Sequence, residues 1–320
     1  MPEAAQINEI AGEYWDQKLS EIRARTVTRV RWWEDETTKR HINGIVGDPT
    51  LTEVHAAFHA KIANRFGRRA KLKAISVGCG VGTKEMWLMQ MIDVRQFDLF
   101  DISKANIAFG KEEAHRRGIS ERVNLHAEDA FAARLDDDYD LVYWNNALHH
   151  MPNVGDALRW SYDRLKVGGL LAMDDFVGPS RFQWTDENIA WANNVRANLP
   201  ERFLRNPYAP DQILPRTVMR PTRQEVIASD PSEAVDSARI VEMLHTTFGE
   251  CEVISTGGAL YHLALNDIFC NFNSDDDLAL LRQILMLDQA LAEKGVNQYA
   301  VAFALRTGAR SWRAWWRSRS

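Results

Sequence analysis

Lys71 to Thr83 read KLKAISVGCGVGT, and the rest of the chain is organised around this stretch. An apolar run, Leu72, Ala74, Ile75 and Val77, stops at Gly78, Gly80 and Gly82, and helix formers continue from Lys84 to Met91. The pattern predicts a strand, a tight turn and a helix start. Glycine lets a backbone turn sharply and a ligand approach with no Cβ in the way, and a helix start presents free N–H groups beside it. Such a loop suits an adenine-containing cofactor.

Strands alternating with helices extend outward from it. Phe97 to Ile102 (FDLFDI) is a short alternating strand carrying Asp101, 23 residues beyond Gly78, a spacing at which a carboxylate accepts hydrogen bonds from a ribose. Lys104 to Arg117 reads as a helix closed by Gly118, since glycine after basic residues is a common helix stop. Val123 to Ala127 is a third strand, leading to Glu128, Asp129 and Ala130, and Tyr139 to Tyr143 is a fourth, entering Asn145 to His150. A helix at Ala157 to Leu165 precedes a fifth strand, Leu170 to Asp174. Cys251 to Ser255 and Gln298 to Leu305 return to strand character around a helix at Leu278 to Glu293. This order predicts βαβ crossovers and a mostly parallel sheet.

Three regions fall outside the rhythm. Residues 1–70 read as a helical lid or extension, with an apolar face from Tyr14, Trp15, Leu19, Ile22, Val30, Trp32 and Trp33 that repeats over Leu51 to Phe66, the halves broken at Gly44, Gly47 and Pro49. Residues 178–249 hold seven of the ten prolines around short helical pieces such as Asp186 to Asn198, and no strand-rich block. They read as a helical insertion that caps a substrate, between a cofactor-binding core at 71–177 and a completion of the sheet at 250–308. The tail, 309–320, sets Trp312, Trp315 and Trp316 at helical spacing among arginines, a combination suited to weak contact with a membrane surface or a protein partner.

Composition narrows the function classes. With 39 Lys and Arg against 44 Asp and Glu the net charge is −5, which gives no global reason to bind nucleic acid. Cys79, Cys251 and Cys270 are far apart with no Cys-x-x-Cys pair, so neither a disulfide framework nor a cysteine zinc site is expected, and a cytoplasmic setting fits. The N-terminus is polar and acidic where a signal peptide would be basic and then apolar, and no apolar run approaches membrane-spanning length.

Together these spacings resemble the class I methyltransferases that use S-adenosylmethionine, in their small-molecule branch. The glycine motif of that family matches Val77 to Gly82, its ribose acid falls on Asp101 and its acid after the third strand on Asp129. Asn145 to Asn153 (NNALHHMPN) and Leu165 to Asp175 (LKVGGLLAMDD) look like its fourth-strand exit and fifth strand. A nicotinamide-binding domain would need its third glycine at position 83, where Thr83 stands. The resemblance implies an α/β three-layer sandwich with a mostly parallel seven-stranded sheet whose last strand is antiparallel, and it covers residues 70–175 best. It implies that Gly78, Cys79, Gly80 and Gly82 pass under the methionine part of the cofactor. Asp101 would take both ribose hydroxyls, Ile102 pack on the adenine, Asp129 accept from its amino group, Ala130 face a ring nitrogen, and Asn145 lie beside the methionine amino group. The product would be S-adenosylhomocysteine.

Methyl transfer to a hydroxyl is an in-line displacement that needs positioning and a proton acceptor. His149 or His150 is the candidate general base. Asp174 and Asp175 end the fifth strand at the edge where open α/β sheets place ligands. With a histidine they would suit Mg²⁺, although the expected site holds no metal. Arg181, Gln183 and Trp184 follow as candidates for the acceptor pocket. Methyltransferases of nucleic-acid amino groups carry a proline-proline-aromatic motif where this chain has Asn145, Asn146 and Ala147. The expectation is an O-methyltransferase of a sugar, glycan end or secondary metabolite, with nitrogen or carbon acceptors, or a non-catalytic cofactor-binding protein, as alternatives.

Overall fold

The computed structural model describes residues 11–17, 20, 27–67, 71–135 and 138–308. Seven strands form one sheet in the order β3-β2-β1-β4-β5-β9-β8: β1 (Leu72–Val77), β2 (Val94–Asp101), β3 (Val123–Ala127), β4 (Tyr139–Asn145), β5 (Leu165–Phe176), β8 (Cys251–Gly257) and β9 (Tyr299–Leu305). The first five pair in parallel and β9 runs antiparallel between β5 and β8. All six residues of β1 are buried, as befits a central strand covered on both faces.

Strand alternation divides the core in two. On one face Ala74, Leu99, Leu141, Tyr143 and Phe303 pack with α3 (Ala56–Phe66), α4 (Thr83–Leu88) and α5 (Lys104–Arg116). On the other Ile75, Phe100, Val142, Trp144 and Met173 pack with α6 (Val154–Arg164) and α9 (Ile240–Phe248). A third apolar cluster joins Trp32, Phe176, Trp184 and Tyr299 to α7 (Asp186–Asn198), α10 (Asp275–Ala292) and the turns around Ala259–Phe272. Phe176 ends β5 and Tyr299 begins antiparallel β9, so this cluster sits at the edge where the parallel strands finish.

Several boundaries differ from expectation. Residues 27–35 are not helical apart from the short turn Trp32–Glu34; the helix α2 (Glu36–Val46) runs through Gly44 and stops at Gly47. Glycine inside a helix costs about 1 kcal/mol against alanine, which the packing of α2 on α3 and α10 offsets. β4 extends to Asn145, and β5 starts five residues early because Leu165 already pairs with Tyr139 before the register shifts to Leu170 beside Leu141. The insertion contains α7, α8 (Arg223–Ser229) and a small antiparallel pair, β6 (Arg205–Asn206) and β7 (Ala209–Ile213), that the proline count concealed.

At the N-terminal side, α1 (residues 11–17) lies on the turn after β2. Asp16 accepts from Ser103 Oγ at 2.5 Å and from the Ala105 N–H at 3.1 Å, tying α1 to the start of α5. Leu19, Ile22 and the tail 309–320 lie outside the described residues. No helix among the described residues is long and apolar enough to cross a membrane.

Candidate functional site

Gly78, Gly80 and Gly82 all have positive φ, at 67°, 58° and 73°, a region that side-chain-bearing residues adopt at a cost. The loop holds itself in place. Gly78 and Cys79 donate to Phe100 O, Gly82 donates to Cys79 O, and Gly80 donates to Asp101 Oδ2 at 2.8 Å. A Cβ on Gly78 would come within 2.9 Å of Ala147 Cβ, and one on Gly82 within 2.8 Å of Leu99 Cδ1. A Cβ on Gly80 would meet nothing within 4 Å among the described residues, so of the three this glycine is the one that faces open space. The Cys79 side chain is buried with its thiol 3.4 Å from Gly80 O, and burial pushes its pKa well up, so any ligand would meet the backbone of this residue.

Asp101 stands over the loop. Its Oδ1 accepts the Ser103 N–H at 2.8 Å while Oδ2 accepts from Gly80, and each oxygen keeps a further lone pair for a hydroxyl donor. Burial raises its pKa. Asp101 pairs in register with Ala127, which brings Asp129 to the same edge, where its Oδ1 accepts the Phe131 N–H at 2.9 Å and Ala130 is buried. Ile102 is half-buried under α1, its carbonyl oxygen 3.1 Å from where a Cβ on Gly12 would stand. Asn145 is buried, its amide donating to Tyr143 Oη at 3.0 Å and its carbonyl accepting from Lys84 Nζ at 2.6 Å. The open cradle over Gly80 and the half-buried acid beside it fit an adenosine ribose.

The fourth-strand exit turns at Asn146 (φ 51°) into the short helical turn Leu148–His150. Asp175 is fully buried beneath it and accepts from four groups. Its Oδ2 takes the Ala147 and Leu148 N–H groups at 2.9 and 2.8 Å; its Oδ1 takes the Phe176 N–H at 2.8 Å and faces His149 Nδ1 at 2.5 Å. His149 Nε2 in turn faces Glu233 Oε1 at 3.4 Å. Burial opposes charge on His149, but Asp175, Glu233 and Asp230 outweigh it and hold its pKa above the ordinary value. His150 is driven the other way, by burial and then by the charge of His149. Its Nδ1 lies 3.0 Å from Ser232 Oγ, and Trp15 packs edge-on against its ring.

Glu233 reaches this place on a loop of the insertion that docks through Val235 N–H to His149 O at 3.1 Å. Arg181 fastens the same loop, donating to Pro231 O at 2.8 Å and Glu233 O at 3.1 Å. Gln183 donates to Arg181 O and Pro221 O. Trp184 is buried, stacked on Phe182 and edge-on to Phe176. The polar groups of Arg181 and Gln183 thus engage backbone carbonyls, and those of Arg181 hold the loop that carries Glu233.

Asp174 and Asp175 do not act as a pair. Neighbours on a strand point to opposite faces, and Asp174 turns toward the N-terminal helices, its Oδ2 2.7 Å from His55 Nδ1. Sequence reasoning missed His55, Glu233, Asp230, Ser232 and Lys84. Only Lys84, directly after the glycine loop, had a positional signal.

The sequence model of the family described as "Methyltransferase domain" matches residues 75–171. Among curated relatives, "Methyltransferase GfsG" of Streptomyces halstedii is 26% identical over 169 residues, 52% of this chain and 57% of that protein. The "27-O-demethylrifamycin SV methyltransferase" of Amycolatopsis mediterranei is 26% identical over 147 residues, 46% of this chain and 50% of its own length. The chain thus spans about half the length of the curated relatives it matches. Among solved structures, geranyl diphosphate C-methyltransferase from Streptomyces coelicolor A3(2), in complex with Mg²⁺, geranyl diphosphate and S-adenosyl-L-homocysteine, aligns over 94% of this chain and 98% of that one. Its TM-score is 0.52 at 13% identity, a likeness of fold. The strand order, the glycine cradle with Asp101 and the matched segment agree: the chain carries a class I S-adenosylmethionine-dependent methyltransferase domain.

Proposed function

We propose that the chain transfers the methyl group of S-adenosylmethionine to an oxygen of a small-molecule acceptor, a sugar, glycan end or secondary metabolite. The observation that carries this reading is the contact between the two halves of the site. Ala147, two residues before His149, sits where a Cβ on Gly78 would be 2.9 Å away. The cofactor cradle and the turn bearing His149 and His150 are therefore adjacent.

The chemistry asks for little beyond geometry. The acceptor oxygen forms a bond to the methyl carbon, the sulfur–methyl bond breaks with its electron pair left on sulfur, and the hydroxyl proton departs to a nearby acceptor. Holding oxygen and methyl in line and excluding water supplies most of the rate. His149, His150 and Glu233 form the cluster that takes the proton, with Asp175 as the residue that positions His149. The rifamycin relative has an oxygen acceptor in its name and the geranyl diphosphate enzyme a carbon acceptor. Oxygen is preferred here because a cluster built to receive a proton is what a hydroxyl needs. We assign α1 and the 230–236 loop as the covers of the site, since Trp15 packs on His150 and Val235 bonds to His149.

Thermal unfolding with S-adenosylhomocysteine tests the cofactor reading. A ligand at a hundred times its Kd stabilises by about 2.7 kcal/mol, so the wild type should melt several degrees higher. Asp101→Ala removes a charged acceptor and should raise Kd roughly tenfold to a hundredfold. A wild type that does not shift at millimolar ligand overturns the reading.

A further inference from the structure

The turn after β4 gathers more hydrogen-bond acceptors than hydrogens. Asp175 takes the Nδ1 hydrogen of His149, so a neutral His149 carries its lone pair on Nε2, facing Glu233 Oε1 at 3.4 Å. The Ser232 hydroxyl donates to Asp230 Oδ1 at 2.7 Å, which leaves a lone pair for the Nδ1 hydrogen of His150 at 3.0 Å and puts the lone pair of that ring on Nε2 also. Among the described residues Asp230 Oδ2 is buried with no hydrogen-bond partner, 4.0 Å from His150 Nδ1. Three carboxylates, Asp175, Asp230 and Glu233, surround the two rings. Against them stand Arg181, whose guanidinium binds backbone carbonyls, and Lys84, bound to Asn145 O. Trp15 and Phe176 pack edge-on against His150 and His149. Acceptors that face one another in a closed, acidic place call for a cation between them.

We propose that His149, His150 and Glu233 bind a divalent transition-metal ion of the zinc class, leaving a position open for an acceptor oxygen. One ligand atom from each of the three already lies within 4.8 Å of the others. Two ligands at about 2.05 Å from a tetrahedral ion are about 3.3 Å apart, close to the 3.4 Å between His149 Nε2 and Glu233 Oε1. Two imidazoles and one carboxylate suit zinc or its transition-metal neighbours better than Mg²⁺ or Ca²⁺, which prefer oxygen. Asp175 behind His149 is the carboxylate that fixes ring orientation in such sites. This ligand set replaces the Asp174 and Asp175 pair that the sequence suggested for Mg²⁺. The ion's use in methyl transfer rests on the proposed function: it would make a bound hydroxyl more acidic, so that its proton leaves to solvent water as the hydroxyl binds, and the cluster would then favour an oxygen acceptor through the ion, its histidines being ligands instead of bases.

Titration of the full chain, stripped by a chelator, with Zn²⁺ against a chromophoric competitor and with Co²⁺ by visible absorption tests this without activity. One ion per chain and Co²⁺ bands of a low-coordinate site are expected. Glu233→Gln and His149→Gln should each weaken Zn²⁺ binding about tenfold or more, and melting of the stripped variants shows whether each is folded. Glu233 is half-buried on a loop, so its variant keeps the test sound if the histidine variant unfolds. A wild type that binds neither ion, or a folded Glu233→Gln that binds both as the wild type does, overturns the site and leaves a proton as the occupant. S-adenosylhomocysteine shifts on the same preparations keep this outcome apart from failure of the cofactor reading.

Discussion

Asp174 and Asp175 differ by one position in the chain and by nearly everything else. The four groups that converge on Asp175 are all donors: three backbone N–H groups and His149 Nδ1. Asp175→Asn keeps the shape but turns one acceptor oxygen into an NH₂ group, which places donor against donor whichever way the amide lies. Leaving one or two buried donors unsatisfied should cost about 2 to 4 kcal/mol in urea unfolding, and turnover should fall with the loss of His149 orientation. Among the described residues Asp174 carries a single side-chain bond, to His55, and an imidazole can meet an amide as donor or acceptor. Asp174→Asn should therefore cost about 1 kcal/mol or less. Equal losses in the two variants would sink the distinction. The sequence shows two adjacent acids, and the strand period already separates their faces, but nothing in it tells which face receives the turn.

At the scale of the element, the glycine loop separates packing from ligand access. Gly82→Ala would put a Cβ 2.8 Å from Leu99 Cδ1 at a φ of 73°, so the fully buried Leu99 side chain must give way. That should cost about 1 to 3 kcal/mol. Gly80→Ala meets only the φ penalty, about 1 to 2 kcal/mol, because none of the described residues lies within 4 Å. Its methyl would instead occupy the cradle. Melting curves with and without S-adenosylhomocysteine should show Gly82→Ala less stable but still shifted by ligand, and Gly80→Ala more stable of the two but unresponsive. A normal ligand shift in Gly80→Ala would place the cofactor elsewhere. Elements of this kind were legible because each has a local signature. β3 and α7 were readable to the residue, and the structure closes the start of α7 with Thr185, whose side chain accepts the Asn188 N–H. Glu233, Asp230 and Ser232 were not legible, because a docked loop in a proline-rich insertion is positioned by long-range bonds such as Arg181 to Pro231 O, which leave no period in the sequence.

Over the whole molecule, buried histidines set how the fold meets acid. His59, on α3, is buried with its Nε2 2.9 Å from Tyr143 Oη of β4. Tyr143 Oη accepts the Asn145 amide hydrogen at 3.0 Å and has its own hydrogen to give to a neutral His59 ring. Burial, then the nearby His55 and Lys84, lower its pKa to about 3. An unfolded histidine titrates near 6.5, so between these values the unfolded chain binds more protons and stability rises with pH. The contribution is complete above the unfolded pKa and is lost as pH falls toward 3. His262, packed among Phe176, Phe182 and Trp184, behaves in the same way, with burial lowering its pKa to about 4. Asp288, raised to about 7 by burial, and His149, raised by its carboxylates, carry the opposite sign and flatten the wild-type curve. The measurable quantity is thus a difference between proteins. Between pH 7 and pH 5 the wild type should lose about 2 kcal/mol more than His59→Gln in urea unfolding, since one depressed histidine contributes up to about 1.4 kcal/mol per pH unit below 6.5. Glutamine can still accept the Tyr143 hydrogen, so the two proteins should lie close at pH 7 and diverge on acidification. Parallel curves over that interval would mean that His59 is protonated in the folded chain.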